Sequence, residues 1–440
     1  MMRILKKFGS FTGEMRVFLL VWFGQLVSLI GSGLTSFALG VWVYQRTGSV
    51  TQFSLILLFA LLPSILISPV AGAIVDRCNR RWCMILSDSG AALTTVAIAL
   101  LLATGSLQIW HLYIAVSLSS VCKAFQLPAY TASTSLLVPK EDLPRASGMV
   151  QSAQACAQLI SPLLAGVLLG IVQLPGVILI DFATFLFGVT TLSLVRFPDS
   201  KTSAVPKEGT TSFWQEVTYG WTYIAIRPGL LMLLILFAVD NFVFGMVEVL
   251  LTPLVLTFAS VTVLGTIQSI GGAGMLLGSL AMSMWGGPRP LIRGVFAFDF
   301  LCHLCILSLG LGTSFALFAV ANFIFFFSLP LVNGCCHGIL LRKVTPDIQG
   351  RVFATIQMIS LSCIPLAYVV AGPLSDRIFE PLMAADGFLA ASVGQIIGVG
   401  PGRGIGLLFI TLEVLAMLIT FAAYRYPRLR FIEDELPDAI

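Results

Sequence analysis

Hydrophobic stretches of about 20 residues recur twelve times along this chain, and each is long enough to cross the ~30 Å hydrocarbon core of a bilayer. Lipid offers no water to the peptide N–H and C=O groups, so each stretch must satisfy its own backbone as an α-helix. Composition agrees with this reading. Of 440 residues, 57% are hydrophobic and 10% are charged, with a mean hydropathy of +0.97, whereas soluble domains carry roughly 25% charged residues. So little polar material cannot coat a water-facing surface, and a net charge of +4 gives nucleic acid no basic face to bind. The sequence predicts an all-α integral membrane protein, with spans at 17–45, 51–75, 82–104, 109–138, 146–170, 175–196, 229–258, 262–285, 290–310, 313–341, 350–378 and 403–425.

The distribution of Lys and Arg predicts the orientation. With the N-terminus in the cytoplasm, 21 of the 25 Lys and Arg residues fall on cytoplasmic segments. That leaves Arg46, Arg377 and Arg403 outside and Lys123 within a span, a strong positive-inside bias. A plasma-membrane protein with both termini cytoplasmic is expected. The first apolar run is too long for a cleavable signal, and nine cysteines, an odd number sited mostly in spans, do not form a secreted disulfide framework.

The chain also repeats itself. Val138 to Gly166 aligns with Val344 to Gly372 at an offset of 206, matching Arg145 to Arg351, Gln151 to Gln357 and Ala165-Gly166 to Ala371-Gly372. Each segment joins the fourth and fifth spans of its half. An offset of six helices returns the chain to the same membrane face, so two parallel-repeat six-helix halves are expected, residues 1–196 and 229–440. Such repeats place a central cavity near the bilayer midplane, reached alternately from either side. Residues 197–228 read as a polar linker with a helix start at Ser212-Phe213-Trp214-Gln215. Phe213, Val217, Trp221 and Ile224 follow at helical spacing, as in an amphipathic helix on the membrane surface.

The loop after the second span reads Gly72-Ala-Ile-Val-Asp76-Arg77-Cys-Asn-Arg80-Arg81. Gly72 would admit close helix approach, and the arginines supply positive-inside charge. This loop resembles the signature loop of the major facilitator superfamily, which implies a conformational latch in which Asp76 pairs across helices. The matching loop of the second half, Gly286 to Pro290, lacks the acid, so a latch there must be differently made. Ser161-Pro162-Leu-Leu-Ala165-Gly166 in the fifth span resembles a degenerate antiporter motif of that superfamily. Gly400-Pro-Gly-Arg-Gly-Ile-Gly-Leu-Leu408, Arg145-Ala146 and Gln349-Gly-Arg-Val352 are similar to the macrolide-efflux and enterobactin-exporter-like, drug:proton antiporter branch.

Charges inside spans are the candidates for coupling, because each costs roughly 2.5–3.5 kcal/mol at a helix centre without a partner or a watery cavity. Asp240 lies deep in the seventh span and Glu248, eight residues on, shares its face to within about 80°; together they could line a cavity and carry a proton. Lys123 is expected to pair with Asp240, Asp88 or Asp181. Asp88 is expected to brace the signature loop, and Asp299 and Glu413 read as mainly structural. Cys302-His303-x-Cys305 and Cys335-Cys336-His337 contain metal-ligand types in apolar helices without further ligands at suitable spacing, and read as packing. No metal or catalytic constellation is predicted. The Gly271-Gly-Ala-Gly274 run with Gly278 follows no strand and precedes no Lys-Ser, so it reads as helix packing rather than a phosphate loop.

The resemblance implies a secondary active transporter, a non-enzyme needing no cofactor beyond a proton gradient. It would export a hydrophobic or amphipathic small molecule as a monomer by alternating access. Export of a siderophore or other native metabolite, and a transport-inactive scaffold or sensor, are the alternatives.

Overall fold

The computed structural model describes residues 13–75, 78–139, 142–195 and 221–435. Among these residues, twelve helices are long and apolar enough to span a membrane, every edge within four residues of its predicted place. They are α1 (Gly13–Thr47), α2 (Val50–Val75), α3 (Arg80–Ala103), α4 (Ile109–Leu137), α5 (Leu143–Ile171), α6 (Gln173–Leu194), α7 (Pro228–Leu256), α8 (Val261–Trp285), α9 (Leu291–Leu311), α10 (Phe315–Lys343), α11 (Pro346–Leu374) and α12 (Arg403–Arg425). Short polar links break the chain where caps form. The Asn79 side chain accepts from the amides of Arg81 and Trp82 to open α3, and Ser260 accepts from Val263 N to open α8. Each bond satisfies an amide that the first helical turn leaves without a partner.

The helices gather into two compact units, α1–α6 and α7–α12, the second also holding Gly48–Ser54. In the first unit α1 packs on α5 and α6, and α3 on α4. One of its apolar clusters centres on Phe18, Met84 and Leu192 and another on Leu34, Leu112 and Ile178. In the second unit α7 packs on α11 and α12, α8 on α10, and α9 on α10 and α12, around Leu230, Val295, Cys335, Ile339 and Val352. Gly48–Ser54 belongs there because Asp376 caps it: Ser49 Oγ, Val50 N and Thr51 N donate to its carboxylate at 2.7, 3.0 and 2.9 Å.

The repeat is visible in element lengths. Helices α4 and α10 each run 29 residues and begin 206 residues apart, and Val138 and Val344 end them in extended conformation. Helices α5 and α11 also run 29 residues each. Most of the predicted linker and amphipathic helix, residues 196–220, lies outside the described residues. Ile224, expected on the membrane surface, is instead buried in the core of the second unit.

Candidate functional site

Three helices of the second unit meet at one buried imidazole. Helix α9 carries Asp299 and His303 one turn apart, α7 brings Asp240, and α12 brings Glu413 and Thr420. The approach of α9 to α12 depends on two glycines. A Cβ on Gly310 would sit 2.5 Å from Gly406 O, and one on Gly406 2.8 Å from Gly310 O, so the backbones touch there as small residues allow in membrane helices. Glu380 supports the same helix by accepting from Gly402 N and Ile405 N at 3.2 and 3.0 Å. Gly402 enters α12 with φ +81°, a left-handed conformation that favours glycine.

At this junction His303 Nδ1 faces Glu413 Oε2 at 2.7 Å, and its Nε2 lies 3.5 Å from Asp299 Oδ2 and 3.8 Å from Asp240 Oδ1. Thr420 Oγ1 donates to Asp299 Oδ2 at 2.9 Å. Side-chain exposure is 4% for His303, 6% for Asp299, 0% for Glu413 and 22% for Asp240. Asp240 is thus the most exposed member, and with Asp299 and His303 it lines a cavity of about 210 Å³. Phe237, Phe244 and Phe325 wall that cavity, with Asn241 and Asn333 as polar points; Phe244 and Phe325 stack with centroids 6.1 Å apart. Three carboxylates around one imidazole can hold and pass protons, and they offer a cation a negative, desolvated socket beside apolar walls.

The other predicted coupling residues sit elsewhere. Glu248 does not line this cavity; it accepts from Tyr368 Oη at 2.5 Å. Lys123 has Asp181 as its electrostatic neighbour, both in the first unit, rather than Asp240. Asp88, expected to brace the signature loop, is held among the described residues by two carboxamides. Gln25 Nε2 donates to it at 3.3 Å, Gln126 Nε2 donates to its other oxygen, and Gln126 Nε2 also donates to Gln25 Oε1 at 3.0 Å. In the sequence His303 stands between Cys302 and Cys305, a grouping that points to helix packing. Cys302 Sγ instead bonds Phe325 O. The usable signal was Asp299 and His303 four residues apart on one face of a span.

A family model of the Major Facilitator Superfamily matches residues 21–368. The chain belongs to that superfamily. Macrolide efflux protein A of Streptococcus pyogenes is 29% identical over 373 residues, 82% of this chain and 90% of that protein. Multidrug efflux pump Tap of Mycolicibacterium fortuitum is 22% identical over 371 residues, 81% of this chain and 89% of that one. Among solved structures, an inward-facing, unoccupied bacterial homologue of the human lysosomal transporter Spinster superposes with a TM-score of 0.68 at 14% identity, covering 94% of this chain and 97% of that one. This likeness shows the fold, and the chain is a transporter of the superfamily with efflux pumps among its relatives.

In the superfamily's signature loop, Asp76 and Arg77 lie outside the described residues. The two following arginines act on helix ends. Arg80 Nη1 donates to Ala132 O of α4 at 2.9 Å, and Arg81 donates through Nε to Leu192 O and through Nη2 to Ser193 O, at 3.1 and 2.6 Å. Cations at the carbonyl end of α6 complement its dipole. Among the described residues nothing lies within 4 Å of a Cβ placed at Gly72. In the fifth helix, Ser161 Oγ donates to Ile30 O at 3.1 Å and Ala165 is fully buried in the core with α1, so this segment holds α5 to α1. Pro162 lies inside α5, four residues before Gly166.

An acid of the C-terminal segment reaches the start of α9. Glu433 Oε2 accepts from Ile292 N at the start of α9 at 2.9 Å, its Oε1 lies 3.8 Å from Arg342, and Lys343 Nζ donates to its backbone carbonyl at 2.5 Å.

Proposed function

We propose that this transporter is a proton-coupled antiporter that exports a hydrophobic or amphipathic small molecule by alternating access. The observation that carries the reading is the buried His303 with its three carboxylates, one of which, Asp240, opens onto an aromatic-walled cavity. Apolar walls suit an amphipathic guest, with a few polar groups to orient it. The export direction draws support from the efflux relatives. Asp240 receives the proton from the cavity side. His303 Nε2 stands between Asp240 and Asp299, while Glu413 holds the ring through Nδ1, so a proton entering at Asp240 can be shared through the imidazole before release to the other side.

The positive-inside bias of the Lys and Arg residues supports a cell-membrane orientation with both termini cytoplasmic. Uptake of protons from outside then drives substrate outward, and external acidification should speed export. The test is accumulation of a panel of lipophilic fluorescent compounds in cells expressing the protein, with and without a protonophore, beside Asp240→Asn. The expected result is lowered accumulation that both the protonophore and the substitution abolish. Export by Asp240→Asn equal to that of the unsubstituted protein refutes the coupling role.

A further inference from the structure

We propose that Asp240, Asp299 and His303 form a site for one divalent transition-metal ion of the zinc class, whatever molecule the transporter exports. One ligand atom from each residue lies within 4.8 Å of the other two. An ion about 2.0–2.2 Å from each ligand atom brings those atoms to within about 4.4 Å of one another. His303 Nε2 already satisfies this at 3.5 and 3.8 Å from the two aspartates, so small side-chain rotations complete the site.

The surroundings already orient two of the three ligands. Ligating histidines ordinarily donate their second ring N–H to a carboxylate or carbonyl, which fixes the tautomer and aims the other nitrogen at the metal. Glu413 Oε2, 2.7 Å from His303 Nδ1 and on a side chain with 0% exposure, occupies that supporting position. With the proton on Nδ1, the Nε2 lone pair points toward the two aspartates. Thr420 Oγ1 plays the same part for Asp299. Among the described residues, Asp240 Oδ1 is a buried oxygen with no hydrogen-bond partner. The cavity lined by these three residues provides an open position for water or a further ligand.

The donor set selects the ion. One imidazole nitrogen and two carboxylate oxygens suit Zn²⁺ or Co²⁺, whereas Mg²⁺ and Ca²⁺ favour all-oxygen shells. The two carboxylates also neutralise a divalent charge, which an ion needs in a desolvated socket. The cysteines of Cys302-His303-x-Cys305 are not required.

The test uses the full-length protein in lipid nanodiscs with its purification tag removed. Calorimetry with Zn²⁺ should give one ion per chain, undisturbed by excess Mg²⁺, and Co²⁺ should develop visible d–d absorption. Asp240→Asn and His303→Gln should each weaken zinc binding at least about 10-fold, and Glu413→Gln, which touches no ion, should weaken it about 10- to 100-fold. Melting of each variant without metal identifies preparations that are folded. Absence of zinc binding, or unchanged affinity in a folded Asp240→Asn protein, overturns the site. The same preparations are assayed for export in proteoliposomes. Zinc binding lost on substitution in protein that exports nothing supports the site and fails the export reading, while export without zinc binding does the reverse.

Discussion

Replacing His303 with Leu removes the partner on which Glu413 depends. Glu413 is fully buried; its Oε2 faces His303 Nδ1 at 2.7 Å and its Oε1 has no hydrogen-bond partner among the described residues. In His303→Leu both oxygens are stranded in an apolar helix contact. Deleting one member of a buried pair typically costs about 3–5 kcal/mol, because the other is left uncompensated. Glu413→Met is milder, since His303 keeps Asp299 and Asp240 close to Nε2, and loss of one hydrogen bond to a buried ring costs about 1–3 kcal/mol. The double variant strands neither group. Apolar replacement of a whole buried pair is often neutral or stabilising, Asp299 keeps Thr420, and Asp240 keeps its opening to the cavity. His303→Leu/Glu413→Met should therefore unfold within about 1–2 kcal/mol of the parent. The assay is reversible unfolding in mixed detergent micelles, read by tryptophan fluorescence, on all four proteins of the cycle. A double variant as unstable as His303→Leu alone, or less stable, would refute the view that the cluster's energetics rest on mutual compensation.

Other outcomes follow from single contacts. Gly278→Ala would place a Cβ 2.1 Å from Phe327 O, a backbone atom of α10, and should lower stability by about 1–3 kcal/mol. Gly350→Ala, where no described atom lies within 4 Å of the new carbon, should be neutral or stabilising by about 0.4–1 kcal/mol, and thermal melts compare the two. Arg81→Gln removes the cation at the end of α6 and should cost about 1–2 kcal/mol, with amide exchange quickening first in the last turn of that helix. Glu433→Ala uncaps α9 and should cost about 1 kcal/mol, visible as faster exchange at Ile292; unchanged exchange there would remove the assigned role of the C-terminal segment.

The architecture was legible because lipid leaves the backbone so little choice. Twelve apolar runs became twelve spans, and the 206-residue offset reappears as two 29-residue helices in matching places. Within the candidate site, depth in a span singled out Asp240, since a carboxylate there needs a reason. Its companions were harder to read. Asp299, His303 and Glu413 lie on two further helices, and nothing in the one-dimensional pattern says which faces of α7, α9 and α12 meet. Helical spacing suggested Glu248 as the second member. A phase difference of about 80° still allows divergence, and the structure turns Glu248 to Tyr368. Lys123 had three acids within reach of a guess, and only packing chose Asp181.

The Gln25–Asp88–Gln126 cluster has a counterpart by register. Gln25 is the thirteenth residue of α1 and Asp240 the thirteenth of α7. Asp88 is the ninth of α3 and Asp299 the ninth of α9; Gln126 is the eighteenth of α4 and Val332, in the cavity wall, the eighteenth of α10. Here one copy holds its acid between two neutral carboxamides. The other has put a second acid where a carboxamide stands and an apolar residue where the other stands, which opens the pocket and raises the charge. Aligning the two halves of a relative against each other, rather than against other proteins, tests whether the same two positions of its second half, the thirteenth of the first helix and the ninth of the third, are both ionisable.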